Sequence, residues 1–598
     1  MENKKQAIIL SGVAIVALLA LIIGATYAYF RASGNSGSNT DINVTTYTLD
    51  LLSFEMGSDI KINADQTSFA SGKGNATGST FAKAILTANN KTNTATKNYY
   101  MYLNISNNTF TYTQNENTPE LLLTITDVSG NAITSITGLT YKTVIDGKGT
   151  SVSGFDITTK SGLLTLFDNR EITASPTKTE EWNVTVTFVN YNVNQTGNAG
   201  KSFNAKLMIQ QEEYELTLAD ICAGKTLSDC VISQYTGTQG DNALYYHNST
   251  LTNGAGDNSY RYAGGDYVLT EAGKATGATM MIGYNNSVTT ALIDFYCNGT
   301  KQYVGYASSC STSHYYLIKG DTTQYQTYNE ALNASVEKGY LTKDNVKNFV
   351  CFGSDATTCP TENLYRIIGV FNNHVKLIKY DYAKSSLLGT DGDFSQEYTS
   401  NYFSGEQGES PSSNSLYYWN NAGTNTWSAS KLNTVNLNTN FTTNIGTAWA
   451  NKIATTTWKV GGGTYANLRD AVPKTAYQYE VGSSASTTTY DAKIGLMYVS
   501  DYYYSASPSA WTLVGYNSDY TKSYASAKGE NWLYGGGWDW TISRFSDYSN
   551  IAFVVGNFGN VRYSGVNGNF GVRPSFSLLS STTYVSGSGS MSDPVRIN

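Results

Sequence analysis

The chain has 598 residues, 40% hydrophobic and only 14% charged, with a net charge of −7 and 47 tyrosines dominating the aromatic 13%. That length calls for two to four domains, and the apolar content suffices for real cores, which excludes a disordered chain. No basic stripe is present to meet a phosphate backbone, which excludes nucleic acid as a partner. Polarity carried by Asn, Thr, Ser, Gly and Tyr suits an extracytoplasmic, mainly β multidomain protein.

Lys4 and Lys5 precede an apolar run over residues 7–30, long enough to span a bilayer with some tilt. The basic flank places everything beyond Phe30 outside. Residues 1–30 therefore read as a signal peptide or a membrane anchor; both fit, with Ala28 the small residue at a cleavage edge. The stretch Gly-Ala-Thr-Tyr-Ala-Tyr-Phe over 24–30 resembles the leader ends of camelysin and TasA-type bacterial surface proteins.

A Ser/Gly/Asn linker follows over 32–40, and then strand signals with hardly any helix. Trp182, Val184, Val186 and Phe188 alternate with polar residues, and so do Phe203, Ala205, Leu207 and Ile209, with Met208 the one exception. The Asn/Gly-rich residues 190–201 read as a long hairpin or a Greek-key connection. Further runs at 42–54, 98–106, 119–127 and 163–168 complete a β-sandwich over 31–212. Behind this leader the arrangement resembles the camelysin/TasA family, which implies a jelly-roll-like sandwich and self-assembly through it. Residues 31–212 hold no histidine and no His-Glu-x-x-His run, so the peptidase activity attributed to some members is not carried over.

All six cysteines fall between 213 and 361. Local disulfides Cys222–Cys230, Cys297–Cys310 and Cys351–Cys359 each close a short loop, whereas zinc lacks C-x-x-C spacing and a nearby histidine pattern; buried free thiols are the bland alternative. Helices are expected around 226–233 and over 328–338, and Thr342 reads as a cap for a third over 343–349. The Gly-rich 264–284 reads as an insertion loop. The region is expected to be an irregular, disulfide-stapled connector.

Residues 364–371 and 375–380 flank Asn372-Asn373, a β-hairpin signal. Ser428 or Ser430 caps a helix, and Leu437, Phe441, Ile445, Trp449 and Ile453 recur every four residues as a buried stripe. A strand is expected at 493–499. Trp532, Trp538 and Trp540 surround Gly535-Gly536-Gly537, and Phe570, Val572, Pro574, Phe576 and Leu578 alternate with Gly571, Arg573, Ser575 and Ser577, a half-buried strand whose proline points to an edge or bulge. The order of these motifs, with Trp540-Thr541 and Gly571-Val-Arg-Pro574, resembles the ending of a bacterial domain related to formylglycine-generating enzymes and the C-type lectin-like fold. That implies an α+β C-type lectin-like binding domain over 362–598. The chain departs from the pattern at Ile542-Ser543-Arg544 and at Ser575.

No cysteine follows Cys359, so the oxidase chemistry of that family is not expected, and no enzyme activity is assigned. His374 reads as an exposed turn residue, and His247 and His314 show no metal spacing. Asp391, Asp393, Asp501, Asp539 and Asp547 are the only calcium candidates and lack a repeated ligand register, so no cofactor or metal is expected. The loop-rich span 542–570 offers Ser546, Asp547, Tyr548, Asn557, Asn560, Tyr563, Asn567 and Asn569 as ligand-binding residues, types that make adaptable contacts at low entropic cost. Its Asn/Tyr/Ser mix also fits a target of a diversity-generating retroelement. The function expected is adhesion or recognition of an extracellular glycan or protein at the bacterial cell surface, membrane-anchored or secreted; the alternative is a TasA-like fibre or coat subunit.

Overall fold

The computed structural model describes residues 50–598 apart from 65–72, 90–93, 215, 283–288, 303–309, 311–312, 344, 399–413, 517–529 and 558. The leader expected over 1–30 lies outside the described residues. Among the described residues no helix is long and apolar enough to cross a membrane. The protein is mainly β, 39% strand to 18% helix, and divides into two compact units, Met1–Leu216 and Thr217–Asn598.

Among the described residues the first unit holds ten strands: β1 (Leu51–Met56), β2 (Ile60–Asn63), β3 (Ala76–Thr87), β4 (Ala95–Asn108), β5 (Leu121–Asp127), β6 (Tyr141–Ile145), β7 (Ser151–Asp156), β8 (Gly162–Ala174), β9 (Thr177–Phe188) and β10 (Ser202–Gln210). They form two antiparallel sheets, β1-β3-β9-β5-β7-β6 and β2-β10-β4-β8. Both sheets face one core, to which β9 gives Trp182, Val184, Val186 and Phe188 and β10 gives Phe203, Ala205, Leu207 and Ile209. These are the alternating residues of the sequence, pointing inward because successive side chains of a strand leave opposite faces. Since β9 and β10 lie in different sheets, 190–201 crosses between sheets and closes no hairpin.

A half-buried polar network lies at one side of this core. The Tyr99 hydroxyl donates to Glu180 (2.7 Å), Arg170 Nε donates to the same carboxylate (2.8 Å), and Trp182 Nε1 donates to the Tyr99 oxygen (2.9 Å). The Arg170 guanidinium lies 4.6 Å from the Trp182 ring centre, so each polar group has a partner and the indole packs under a cation.

The second unit is built on a seven-stranded sheet of β11 (Leu244–Tyr246), β12 (Tyr260–Tyr262), β13 (Phe349–Cys351), β14 (Leu364–Phe371), β15 (His374–Lys379), β16 (Ile494–Gly495) and β17 (Ser575–Ser577). Its order is β11-β12-β14-β15-β17-β16, with β13 also paired to β14. Asn372 and Asn373, at φ 48° and 63°, make the tight turn between β14 and β15, as asparagine tolerates that region.

One face of this sheet buries cations in register rows. Arg261 of β12 lies opposite Gly369 of β14, which lies opposite Lys376 of β15; Arg366 lies opposite Ile378, and that opposite Ser575. Gly369 is required between the two cations, since a Cβ there would meet the Tyr260 carbonyl at 2.3 Å. Each cation has a carboxylate: Asp257 for Arg261 (2.5 Å), Asp266 for Arg366 (2.7 Å), Asp501 for Lys376 (2.6 Å), and Asp539 for Arg573 just before β17 (2.5 Å). A buried charge without its partner would cost several kcal/mol, on the order of 3–5.

The Asp266–Arg366 pair and the strand pairing across residue 361 overturn the separate connector expected over 213–361. Asp257 and Asp266 come from that region, as do three strands of the sheet, and its apolar residues join the same core as Trp419, Trp540 and Phe576. The three disulfides Cys222–Cys230, Cys297–Cys310 and Cys351–Cys359 form within it, and they mark an oxidising, extracytoplasmic environment.

Other local expectations change for stated reasons. Helices form over Leu227–Ser233, capped by Thr226, and over Tyr328–Glu337, capped by Thr327. No helix follows Thr342, which pairs in a short strand with Val268; the Gly-rich 264–284 holds that strand, a helix (Glu271–Ala275) and Met280–Ile282. The buried stripe is no single α-helix: Leu432–Phe441 is π-helical, and the chain breaks at Gly446, φ 83°. Five-residue spacing from buried Leu432 to Leu437 suits the wider turn, and Asn438 stabilises it by bonding both the N–H and the C=O of Ile494 at the sheet edge. At 493–499 only Ile494–Gly495 is strand; Asp501 accepts from the Tyr498 N–H and starts a helix, Val499–Tyr504. Residues 571–576 are buried on both faces, not one, because Arg573 is neutralised by Asp539, and β17 lies between β15 and β16, not at an edge.

Glu480 is buried beside the same helix start, accepting from the Val499 and Ser500 N–H groups (2.9 and 2.8 Å) and from the Ser543 hydroxyl. Burial pushes its carboxyl from 4.5 up to about 7, against those donors. A carboxyl raised on folding stabilises fully below its unfolded pKa and loses that contribution as pH rises through the folded one. Between pH 4.5 and 7 the stability difference between the protein and its Glu480→Gln variant is expected to fall by about 3 kcal/mol, read from denaturant midpoints; a flat difference would refute it. Trp182→Ala is expected to cost about 3–5 kcal/mol. In calorimetry of the chain without residues 1–30, the first unit's transition should fall and the second unit's stay in place.

Candidate functional site

The span 542–570 folds as a three-stranded antiparallel sheet, Asp539–Arg544, Ile551–Val555 and Val561–Gly565, with Phe553 opposite Tyr563 and Ile551 opposite Gly565. Apolar Ala552, Phe553, Val554 and Val555 bury its middle strand, which leaves the turns to carry the polar residues. Ser546, Asp547 and Tyr548 sit in the turn joining the first two strands, and Asn567 follows the third at the same end; all four are exposed.

The turn is held from below. The Asn425 side-chain amide, 1% exposed, donates to the carbonyls of Phe545 (2.8 Å), Tyr548 (2.6 Å) and Ile551 (2.7 Å). From the side, Ser546 N–H donates to the Gly463 carbonyl and Gly463 N–H to the Arg544 carbonyl. That contact brings the π-helical turn Tyr465–Arg469 against the sheet, started by Thr464 and Asn467.

The result is a run of four rings. Tyr548 stacks on Phe545 (5.1 Å, 13°), Phe545 on Tyr465 (4.1 Å, 19°), and Tyr465 lies 4.5 Å from Tyr563. Phe545 is the buried anchor, while Tyr548 and Tyr563 are 55% and 41% exposed. The Arg469 guanidinium lies 4.6 Å from the Tyr465 ring and 5.3 Å from that of Tyr563, and Asp470 holds it bidentately at 2.7–2.8 Å. Partial burial pushes the Tyr465 hydroxyl up to about 12, so it stays a neutral donor at neutral pH. Flat rings beside Ser546, Asp547 and Arg469 can stack on an apolar face and bond polar groups around it.

The eight predicted residues thus do not form one patch. Ser546, Asp547, Tyr548, Tyr563 and Asn567 share the aromatic end. Asn557 and Asn560 occupy the turn at the opposite end, where the Tyr534 and Tyr502 hydroxyls donate to the carbonyls of Asn557 and Gly559. Asn569 pairs with Tyr418 in another sheet. The sequence reading missed Tyr465, Arg469 and Asn425: they are remote in sequence, and the bridge between Gly463 and Phe545 brings in the first two while Asn425 reaches the turn through its own amide.

The calcium candidates are used internally: Asp393 accepts from the Asn421 and Leu432 N–H groups, Asp391 from Asn440, Asp501 and Asp539 pair with cations, and Asp547 accepts from Ser546. His374 is half-buried and bonds the Leu578 carbonyl through Nδ1 (2.8 Å), which corrects its reading as an exposed turn residue. His247 is fully buried, its Nδ1 accepting from the Ala255 N–H (3.1 Å), and burial lowers its pKa well below the usual range.

Asn425→Ala strips one donor group from three carbonyls. It is expected to cost about 1–3 kcal/mol and to speed amide exchange over 545–551 while the first unit's exchange is unchanged. No family model matches the chain, and no curated protein matches it in sequence.

Proposed function

We propose that the protein is a non-catalytic recognition protein of the bacterial cell surface, whose second unit carries a C-type lectin-like domain and binds an extracellular glycan or protein. The run Tyr548, Phe545, Tyr465 and Tyr563, exposed at Tyr548 and Tyr563 and edged by Arg469, Ser546 and Asp547, carries this reading. Rigid aromatic side chains supply large contact area at little entropic cost, and the sheet and Asn425 hold the backbone beneath them in place. Residues 1–30 would export or anchor the chain.

Within this reading a retroelement would diversify only the exposed set Ser546, Asp547, Tyr548, Tyr563 and Asn567, because Asn557, Asn560 and Asn569 are built into turns and pairing. A template repeat beside the gene that varies other codons of the span would defeat that part.

A second reading, a TasA-like fibre subunit, draws on the first unit. Its six-stranded sheet ends on β1 and β6, where Leu51 and Ile145 are each 60% exposed, and bare apolar edges invite strand addition.

Screening residues 31–598 on glycan and matrix-protein arrays, beside a 217–598 fragment, tests both. The fragment is expected to retain binding, and Tyr548→Ala and Tyr563→Ala each to weaken it about tenfold with unchanged circular dichroism. Silence on the arrays, with the long chain polymerising and the fragment monomeric, would replace recognition by assembly.

A further inference from the structure

The four buried ion pairs of the second unit are chemically unequal. Arg261, Arg366 and Arg573 carry guanidinium groups, which are delocalised and always charged. Lys376 carries a primary amine, and an amine held against a carboxyl can condense with it.

The Lys376 pair is dry and its donors are under-used. The two side chains are 9% and 4% exposed, with Nζ 2.6 Å from Asp501 Oδ2. The rings of Tyr498, Trp458 and Phe371 surround the nitrogen at 4.8, 5.3 and 5.8 Å. An ammonium has three N–H groups to place, yet Asp501 is its one hydrogen-bond acceptor among the described residues. The arginines each find a further acceptor: Ser259 for Arg261, Asn348 and the Val346 carbonyl for Arg366, and the Leu533 carbonyl for Arg573. An amide nitrogen, with one hydrogen and no charge, fits the Lys376 setting with less left over.

Both ends are also held in place. Lys376 lies within β15, opposite Gly369 on one side and Ser577 on the other. Asp501 is fixed by the Tyr498 N–H, which donates to the same Oδ2 (2.9 Å). Groups held in contact react as if at very high concentration. Glu480 binds the next two N–H groups of that turn, those of Val499 and Ser500. Burial pushes its carboxyl up to about 7, so a large share of it carries a proton at neutral pH, as a general acid must.

We propose that Lys376 and Asp501 condense to an intramolecular amide, with Glu480 as the proton donor to the departing oxygen. One proton crosses from the ammonium to the carboxylate, and the freed lone pair attacks Cγ. The Cγ–O bond then breaks, the hydroxyl leaves as water with the proton of Glu480, and Glu480 recovers a proton from the nitrogen. Both buried charges disappear together. The bond ties β15 to the helix Val499–Tyr504 across 125 residues, whereas the three disulfides span 8, 13 and 8. It is independent of the aromatic end.

Mass spectrometry of the purified full chain, reduced, denatured and digested with trypsin, tests this. The segments holding Lys376 and Asp501 are expected as one branched peptide, lighter by one water than their sum, with no cut after Lys376. Lys376→Met and Asp501→Ala should each abolish the branched peptide, and Glu480→Gln should leave most chains unbranched. Separate peptides of full mass from the parent, with trypsin cutting after Lys376, would overturn the proposal without recourse to any variant. A loss of water that persists in Lys376→Met or Asp501→Ala would overturn it too, and an undiminished branched peptide in Glu480→Gln would overturn the role given to Glu480.

Discussion

Buried charge on one face of the central sheet is the constraint on which the second unit depends. Arg261, Arg366 and Lys376 point into the same interior layer as Arg573, and each must be met by a carboxylate there. Asp266 reaches Arg366 across 100 residues of sequence, and Asp501 reaches Lys376 across 125. Removing either end would strand a charge in low dielectric, so segments that look independent in sequence are tied into one cooperative body. The pairs act less as a source of net stability than as a specification of which segments meet. Asp501 serves twice, since it also starts the helix that follows Tyr498.

The same economy of polar groups shapes the rest of the unit. Asparagine amides replace missing backbone partners: Asn425 under the 545–551 turn, Asn438 at the Ile494 edge, and Asn436 between Leu388 and Asp393. An amide presents a donor and an acceptor as a peptide group does, so one side chain closes off a loop that has no strand to pair with. This accounts for how a chain poor in ions and rich in Asn holds long irregular segments. In the first unit Glu180 and Arg170 do comparable work around Tyr99 and Trp182.

Two surfaces of the second unit then differ in kind. The aromatic end is exposed, rigidly supported and uncommitted, which suits contact with a large partner. A cavity by the Tyr328–Glu337 helix is partly open, and the guanidinium groups of Arg366 and Arg573 that line it serve the fold. Neither borrows a residue from the other.

By itself the sequence determined what depends on local repetition. Period-two alternation placed the inward residues of β9 and β10, Asn372-Asn373 placed a hairpin turn, the spacing of Leu227, Val231 and Ile232 and the run over 328–338 placed two helices, and short loops paired the cysteines. It also pointed to the turn at 546–548. What depends on distant partners was decided only in the tertiary structure. Arg573 reads as a solvent-facing residue until Asp539 is beside it, and 213–361 reads as a connector until Asp266 meets Arg366. The stripe from Leu437 reads as an α-helix until Asn438 locks the wider turn. Tyr465 and Arg469 join the aromatic end only through one bridge, between Gly463 and Phe545. The physical reason is the same in each case: the burial of a charge, or the stacking of a ring, is fixed by a group far along the chain, and no periodicity in the sequence records it.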